Sequence, residues 1–552
     1  MEFNKIRIIF KNKCYTEKHY YDFKDRHQSL LCKTKKLLVN INRTPEMLFA
    51  IMMCLEHNIT YIPVDQSYPT EMINYISRLS GANSMISDNG TVTELSPSSN
   101  TNISGKDEAY ILFTSGTTGE PKGVIVSQNA LFNFIHGISE IIKYESEDRI
   151  VCLTTVAFDI FFLESIMAIY KGLTVILSDV DEQYNPRLMT KLIKDNSIDI
   201  IQMTPSRMQL LLNYDRELSC LKNVKEIMIG GEPFPFSLLL ELQKKTTAKI
   251  YNMYGPTEAT IWTTVSDLTN KDCIDIGQPI RNTEIYIVDE DLHILPNGQS
   301  GEICIAGNGL ANGYVGREDL TSEKFIYLPE KPTIRAYRTG DLGRYLTDGN
   351  LEYLGRTDNQ VKIRGHRIEL EEIESKLNQV DGIKQSVVIA LETNTTDKVL
   401  EAFYTSDINI EPKSITDYLS SKLPSYMIPN IFKQIEEFIT TTNGKIDRKR
   451  VSECIETKIT PIEPLDLVYD RITDIQKKVF KLVASNLDVR ISNTVSFDTD
   501  LAKAGIDSIT FINIVVTLEN EFDCIFDDEK LLLTAFPTIK KIAEYVELKA
   551  VN

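Results

Sequence analysis

Residues 110–123 read Tyr110-Ile111-Leu112-Phe113-Thr114-Ser115-Gly116-Thr117-Thr118-Gly119-Glu120-Pro121-Lys122-Gly123. Tyr110 to Phe113 have the composition of a buried strand, which runs into a Thr-Ser-Gly-Thr-Thr-Gly loop. Glycine permits the close backbone approach and unusual dihedrals that wrapping an anion requires. Backbone N–H groups and the hydroxyls of Thr114, Ser115, Thr117 and Thr118 can donate to phosphate oxygens, and Lys122 adds a full positive charge. The stretch is not a Walker loop, whose Gly-Lys-[Ser/Thr] end opens a helix. A polar surface turn is the plain alternative, and the combination of strand, hydroxyls, glycines and lysine makes it the weaker one.

The rest of the chain sets the frame. A length of 552 residues is too great for one hydrophobic core, so several domains are expected. A net charge of −18 argues against nucleic acid as a partner. The nine cysteines form no Cys-x-x-Cys pair and no cluster with histidine, which fits reduced thiols in a cytoplasmic protein. Met1 to Phe10 contain Glu2, Lys5 and Arg7, unlike a signal peptide. The most apolar stretch, Val156 to Leu177, is interrupted by Asp159, Glu164 and Lys171, so no bilayer span and no membrane partner is expected. The polar run Ser96 to Lys106 reads as a surface loop.

Between about residues 40 and 340, strand-like runs alternate with helical periods. Ile59 to Val64, Leu173 to Leu177, Ile198 to Met203 and Val224 to Ile229 are examples, and the alternation predicts α/β layers around a buried sheet. Gly355 to Gln360 is a polar junction, after which a compact segment follows: a helix over Leu370 to Gln379, then strands near Val387 and Ala402. Thr457 to Leu467, with Pro461 and Pro464, reads as a linker. Beyond it, Ile472, Ile475, Val479, Leu482 and Val483, and later Ile509, Ile512, Val515, Val516 and Phe522, have helical spacing. Residues 470–549 carry 14 Asp/Glu against 10 Lys/Arg, a mild acidity suited to docking on basic protein surfaces.

The phosphate-type loop, the junction, Lys445 in Asn443-Gly444-Lys445-Ile446-Asp447 and the run Leu55 to Asp65 together resemble the adenylation domains of nonribosomal peptide synthetases. These belong to the adenylate-forming superfamily, with acyl-CoA ligases and luciferases. The C-terminal segment resembles a peptidyl carrier protein. The resemblance covers nearly everything except the first 40 or so residues, which are divergent. It implies an α/β multidomain chain: a large α/β adenylation subdomain over residues 1–357, a small mobile α+β subdomain over 358–457, a linker over 458–469 and a helical-bundle carrier domain over 470–552.

The implied reaction has two halves: a carboxylate attacks the α-phosphate of ATP, then a thiol displaces AMP. In Tyr254-Gly255-Pro256-Thr257-Glu258 the resemblance assigns Tyr254 to adenine, Thr257 to phosphate and Glu258 to Mg²⁺. Asp341 would accept hydrogen bonds from both ribose hydroxyls, as an ionised carboxylate can. Gly231, Tyr353 and Arg356 would join Thr114 to Gly119 around the nucleotide. Lys122, Thr257, Glu258 and Lys445 are the catalytic set, with Lys445 bridging substrate carboxylate and α-phosphate as a mobile point charge. Asp358 matches the hinge, and Lys362 to Glu369 belong to the face presented in the second half-reaction. Ser508, in Leu501-Ala-Lys-Ala-Gly-Ile-Asp-Ser508, would carry 4′-phosphopantetheine; its core has one glycine where the family usually has two. Taken singly, any one of these would be an ordinary surface carboxylate, loop lysine or capping serine. Their order along the chain argues otherwise.

Phe158-Asp159-x-x-x-x-Glu164 resembles the motif whose aspartate pairs with a substrate α-ammonium, which fatty-acid and aryl-acid ligases do not need. The family's pocket positions fall on Asp159, Ile160, Leu163, Gln202, Met228, Gly230, Met253, Ile261, Trp262 and Lys445. Leucine, two methionines and the chain's single tryptophan leave little room, a set resembling the glycine-selecting pattern, with alanine as the alternative. Core packing is the plain reading of the same residues. An acyl- or aryl-CoA ligase with a helical tail and a non-catalytic remnant are the other readings. Asp159 and Ser508 speak against the former, and intact Lys122, Glu258, Asp341 and Lys445 against the latter. The expected partners are a phosphopantetheinyl transferase, downstream synthetase or tailoring enzymes in natural product biosynthesis and an MbtH-like protein. No condensation or thioesterase segment is recognised, so later steps are expected on other proteins.

Overall fold

The computed structural model describes the chain except residues 32, 96–106, 117–118, 393–397, 439–445, 447, 449, 452–472, 486, 488–495, 502–505, 507, 523, 528–534 and 551–552. Lys445, Thr117, Thr118, the 96–106 run and the linker therefore lie outside the described residues. Two compact units are present. The first comprises Met1–Gly116, Glu120–Leu211 and Asp215–Arg367, and the second comprises Thr117–Gly119, Leu212–Tyr214 and Ile368–Asn552.

Two large sheets organise the first unit. One has nine strands in the order Gln278–Pro279, Thr264–Asp267, Lys249–Tyr254, Glu226–Gly230, Ile200–Met203, Arg149–Cys152, Thr174–Leu177, Arg7–Phe10 and Lys13–Thr16. The strands from Lys249–Tyr254 through Arg7–Phe10 are parallel, and Ile200–Met203 and Glu226–Gly230 are buried along their whole length. That is why these runs read as nearly continuous apolar stretches, broken by Gln202 and Glu226, rather than as alternation: both faces are covered. The other sheet has seven strands in the order Gly313–Tyr314, Lys122–Ser127, Glu108–Thr114, Thr60–Pro63, Lys36–Asn40, Ser84–Ser87 and Val92–Glu94. Helix Pro45–Glu56 starts with proline in its first turn after Thr44, and all its residues from Met47 to Leu55 are buried. A helix apolar all round belongs in a core.

The first 40 residues, divergent in sequence, are built into this architecture. Arg7–Phe10 pairs in parallel with Thr174–Leu177, and Lys13–Thr16 forms the edge. Tyr20, from helix Glu17–Arg26, donates to Glu56 at 2.7 Å. A further antiparallel sheet includes Gly301–Gly307, Lys331–Tyr345 and Leu351–Arg356. Asp358 and the short hairpin of Val361–Ile363 and His366–Ile368 follow it. The first compact unit ends at Arg367, nine residues beyond Asp358, because side chains of this segment are tied into it as described below.

In the second unit, Gln385–Glu392 pairs antiparallel with Lys398–Thr405, which pairs in parallel with Ile431–Ile435. The expected helix runs Leu370–Leu377. Helices Asp474–Ser485, Ser508–Phe522 and Ile539–Ala550 share a core that includes Val479, Phe511, Ile514, Leu518, Ile542 and Val546. Among the described residues, no helix is long and apolar enough to cross a membrane, and the cysteines are free.

Candidate functional site

Thr114 pairs directly with Lys122 across the antiparallel strands Glu108–Thr114 and Lys122–Ser127, so the lysine stands at the root of the glycine-rich loop. Gly116 is required there: a Cβ would lie 2.0 Å from the carbonyl oxygen of Glu120. The Thr114 hydroxyl is buried with no hydrogen-bond partner among the described residues. Ser115 Oγ donates to the carbonyl of Arg367 at 2.8 Å.

Strand Lys249–Tyr254 delivers the next group. After it, Thr257–Ala259 make a 3₁₀ turn, and Thr260 and Ile261 follow with φ of +63° and +69°. Positive φ at a β-branched residue is strained, and such strain concentrates at functional sites. The turn is held by Thr260 Oγ1 donating to Gly309 O at 2.6 Å and Ala311 N donating to Glu258 O at 2.9 Å. It places Glu258 at 0 % exposure. Its carboxylate accepts from Tyr314 Oη at 2.8 Å and from Arg367 Nη1 at 2.9 and 3.1 Å, with Lys122 Nζ at 3.7 Å. Burial pushes this carboxyl upward, but Arg367 and Lys122 outweigh it and hold the pKa at about 2.

A second cluster surrounds Asp341. Tyr254 Oη donates to Asp341 Oδ2 at 2.7 Å and Arg356 Nη1 to Oδ1 at 2.6 Å. Arg356 also grips Asp358 with Nε at 2.6 Å and Nη2 at 2.7 Å. One guanidinium thus joins the residues expected to bind ribose and to form the hinge. Gly340, at φ +74°, lets Arg356 Nη2 approach: a Cβ would lie 2.9 Å from it. The rings of Tyr254 and Tyr353 are 6.2 Å apart.

The third cluster is apolar with a polar head. In-register pairing puts Gln202 beside Met228 and Gly230 beside Met253 on the adjacent parallel strands. Ile160, Leu163, Met228, Met253, Ile261 and Trp262 belong to one buried core. Trp262 is 1 % exposed, and its ring edge lies so close to Gly230 that a Cβ there would be 2.7 Å from it. Gly231, at φ +90°, has Ile160 and Thr204 beside it. Asp159 Oδ2, both amide atoms of Gln202 and Trp262 Nε1 are buried without a partner among the described residues. Burial raises the Asp159 pKa to about 6, against the opposing Thr257 hydroxyl and Ile160 N–H. A buried carboxylate lacking a partner on one oxygen is poised to accept a cationic donor.

Among the described residues, the structure sets the expected residues in three clusters, around Glu258, Asp341 and Trp262; Lys445, Thr117 and Thr118 are not described. Sequence reasoning missed Tyr314 and gave Arg367 no individual role; a lone tyrosine on a two-residue strand carries no sequence signal. The buried carboxylate of Glu258 accepts cations and suits a hard cation such as Mg²⁺. No group of three His, Cys, Asp or Glu side chains forms a metal cage among the described residues, so phosphate and water oxygens would complete its shell.

Comparison with known proteins is consistent with this geometry. Residues 33–315 match the AMP-binding enzyme family, 372–445 the AMP-binding enzyme C-terminal domain and 477–546 the phosphopantetheine attachment site. A dimodular nonribosomal peptide synthase of Bacillus subtilis (strain 168) is 35 % identical over 474 residues, 81 % of this chain, and the chain spans 20 % of that protein's length. A solved nonribosomal peptide synthetase protein containing adenylation and carrier domains, holo and bound to a vinylsulfonamide inhibitor, superposes with a TM-score of 0.80 at 21 % identity, covering 99 % of this chain and 94 % of that one. A four-domain nonribosomal peptide synthetase bound to AMP and glycine gives a TM-score of 0.57 at 28 % identity, covering 99 % of this chain and 42 % of that one. The chain belongs to the AMP-binding enzymes and carries a C-terminal phosphopantetheine attachment domain.

Proposed function

We propose that this protein activates an amino acid with ATP as its aminoacyl-adenylate and transfers it to a phosphopantetheine thiol on its own Ser508, feeding nonribosomal peptide synthesis in the cytoplasm. A substrate carboxylate oxygen bonds to the α-phosphorus as the bond to the β-phosphate oxygen breaks, and pyrophosphate leaves. Lys122, Thr114 and Ser115 would bind phosphate oxygens; Tyr254, Tyr353, Gly231, Asp341 and Arg356 would hold the nucleoside. Glu258 would hold Mg²⁺, which neutralises charge developing on phosphate oxygens. Lys445 would bridge the two reacting groups, with Asp358 as hinge between residues 1–357 and 358–457. Attached phosphopantetheine supplies the thiol that accepts the aminoacyl group. A phosphopantetheinyl transferase, downstream synthetase enzymes and an MbtH-like protein are the partners this reading entails.

The observation that carries an amino acid rather than another acid is Asp159, whose buried Oδ2 lacks a partner beside an apolar cluster. Pyrophosphate exchange measured across the amino acids tests it; exchange with fatty or aryl acids alone overturns it. The pKa of about 6 adds a pH signature. The ammonium pairs with ionised Asp159, so binding is intact above that pH and lost as protons neutralise the carboxylate. The amino-acid KM should rise about tenfold per pH unit below about 6. Asp159→Asn should remove that slope.

Glycine is the substrate we favour. Trp262 packs against Gly230, with Leu163, Met228 and Met253 in the same core, and a further methyl would force side chains off their rotamers. The four-domain relative bound to AMP and glycine supports this choice. Glycine should exceed alanine by roughly 10-fold to a few hundred-fold in kcat/KM. Trimming Trp262 to Leu should narrow the gap by helping alanine. A wild-type preference for alanine would overturn the pocket assignment and leave the adenylation reading standing.

A further inference from the structure

The helical segment that opens at Asp159 is not regular. Ile160–Phe162 and Ala168–Tyr170 are α-helical, and Leu163–Met167 between them form a π-helical turn, buried at every position. Such a turn takes in about one extra residue, and so rotates the side chains on its two sides by about 100° against each other. Turns of this kind recur at functional sites. Within it, Ser165 Oγ donates to the carbonyl of Phe161 at 2.6 Å and competes with main-chain donors for that oxygen.

Glu164, 0 % exposed, ties this turn to the end of strand Arg149–Cys152. Its carboxylate accepts from Leu153 N and Thr154 N at 2.8 Å each, and from Thr154 Oγ1 at 2.5 Å. The carbonyls of the same two residues are held by side chains as well, Leu153 O by Gln183 Nε2 and Thr154 O by Arg43 Nη1, both at 2.6 Å. Arg43 Nη2 reaches on to Cys152 O at 2.6 Å. Burying a carboxylate is costly, and these donors offset the cost. The turn anchored in this way begins with Leu163, four residues after Asp159 and therefore on the same helix face as the unpaired Oδ2. We propose that Glu164 determines specificity without touching the substrate: by anchoring the π turn it fixes how far Leu163 reaches toward the ammonium site at Asp159, and so excludes a methyl on the amino acid's α-carbon. Glu164 is a positioning residue here. The proposal rests on reading Asp159 and Leu163 as pocket residues and glycine as the preferred substrate.

Pyrophosphate exchange by the full chain, with glycine and with alanine, tests it, because the ratio of the two is unmoved by a loss of folded protein. Leu163→Ala should narrow the glycine preference in kcat/KM. Glu164→Gln keeps one acceptor oxygen but turns an amide N–H₂ toward the remaining donors; it should narrow the preference about tenfold with the KM for ATP unchanged. Thr154→Val removes only the hydroxyl donor, should narrow it less in the same direction, and decides the matter if Glu164→Gln does not fold. In a Leu163→Ala background, Glu164→Gln should change the ratio little, since it acts through Leu163; a full effect there overturns that route. If Leu163→Ala narrows the preference while Glu164→Gln, or Thr154→Val in its place, keeps the wild-type ratio, the positioning role is wrong and the pocket stands. If Leu163→Ala leaves the ratio unchanged, or the wild type does not prefer glycine, the pocket reading falls and the proposal with it.

Discussion

Ser508→Ala should abolish phosphopantetheine attachment while leaving pyrophosphate exchange intact. Ser508 is the first residue of helix Ser508–Phe522, whose Phe511, Ile514, Val515 and Leu518 are buried in the C-terminal helical core. Lys122, Glu258 and Asp341 belong to a different compact unit. Incubation with a phosphopantetheinyl transferase and CoA should add one prosthetic-group mass to the wild type and none to the variant. The added mass makes the outcome all or none. A mass gain on the variant would move the attachment site elsewhere, and a loss of exchange would mean that the substitution damages more than the attachment point.

The second large effect is expected at Lys445. Replacing it with Ala should lower adenylate formation by more than about 100-fold, the scale for deleting an electrostatic contact made in the transition state. Thiol transfer from supplied aminoacyl-adenylate should continue, because the role proposed for the lysine is confined to the first half-reaction. Both halves must be measured separately, pyrophosphate exchange for one and acylation of the loaded chain for the other. Near-normal exchange by the variant would remove Lys445 from the catalytic set. Equal losses in both halves would mean that it acts structurally.

The sequence carried the groups whose chemistry is local. A loop of hydroxyls and glycines after a buried strand reads as an anion site because the strand, Glu108–Thr114, and the glycine requirement at Gly116 arise from neighbouring residues. The α/β layering was legible for the same reason: strands covered on both faces are nearly continuous apolar runs, as Ile200–Met203 is apart from Gln202. The helical C-terminal segment announced itself by periodicity, and helices Asp474–Ser485 and Ser508–Phe522 carry the expected residues Val479 and Val515 inside. The place of Arg7–Phe10 in the sheet was not legible, since its partner Thr174–Leu177 is far along the chain.

What the tertiary structure alone decided is who neutralises whom. Nothing in the spacing of Lys122, Glu258, Tyr314 and Arg367 says that three of them, from three segments, meet at the carboxylate of the fourth, Glu258. Nor does it say that Arg356 joins Asp341 to Asp358, or that Trp262 stands over Gly230. The order of residues determined which groups were present: a loop of hydroxyls and glycines, carboxylates, an apolar set and a serine that opens a helix. The fold decided their ionisation and their partners. Burial and charge separation over a few ångströms set those, and such distances exist only once the strands are in register.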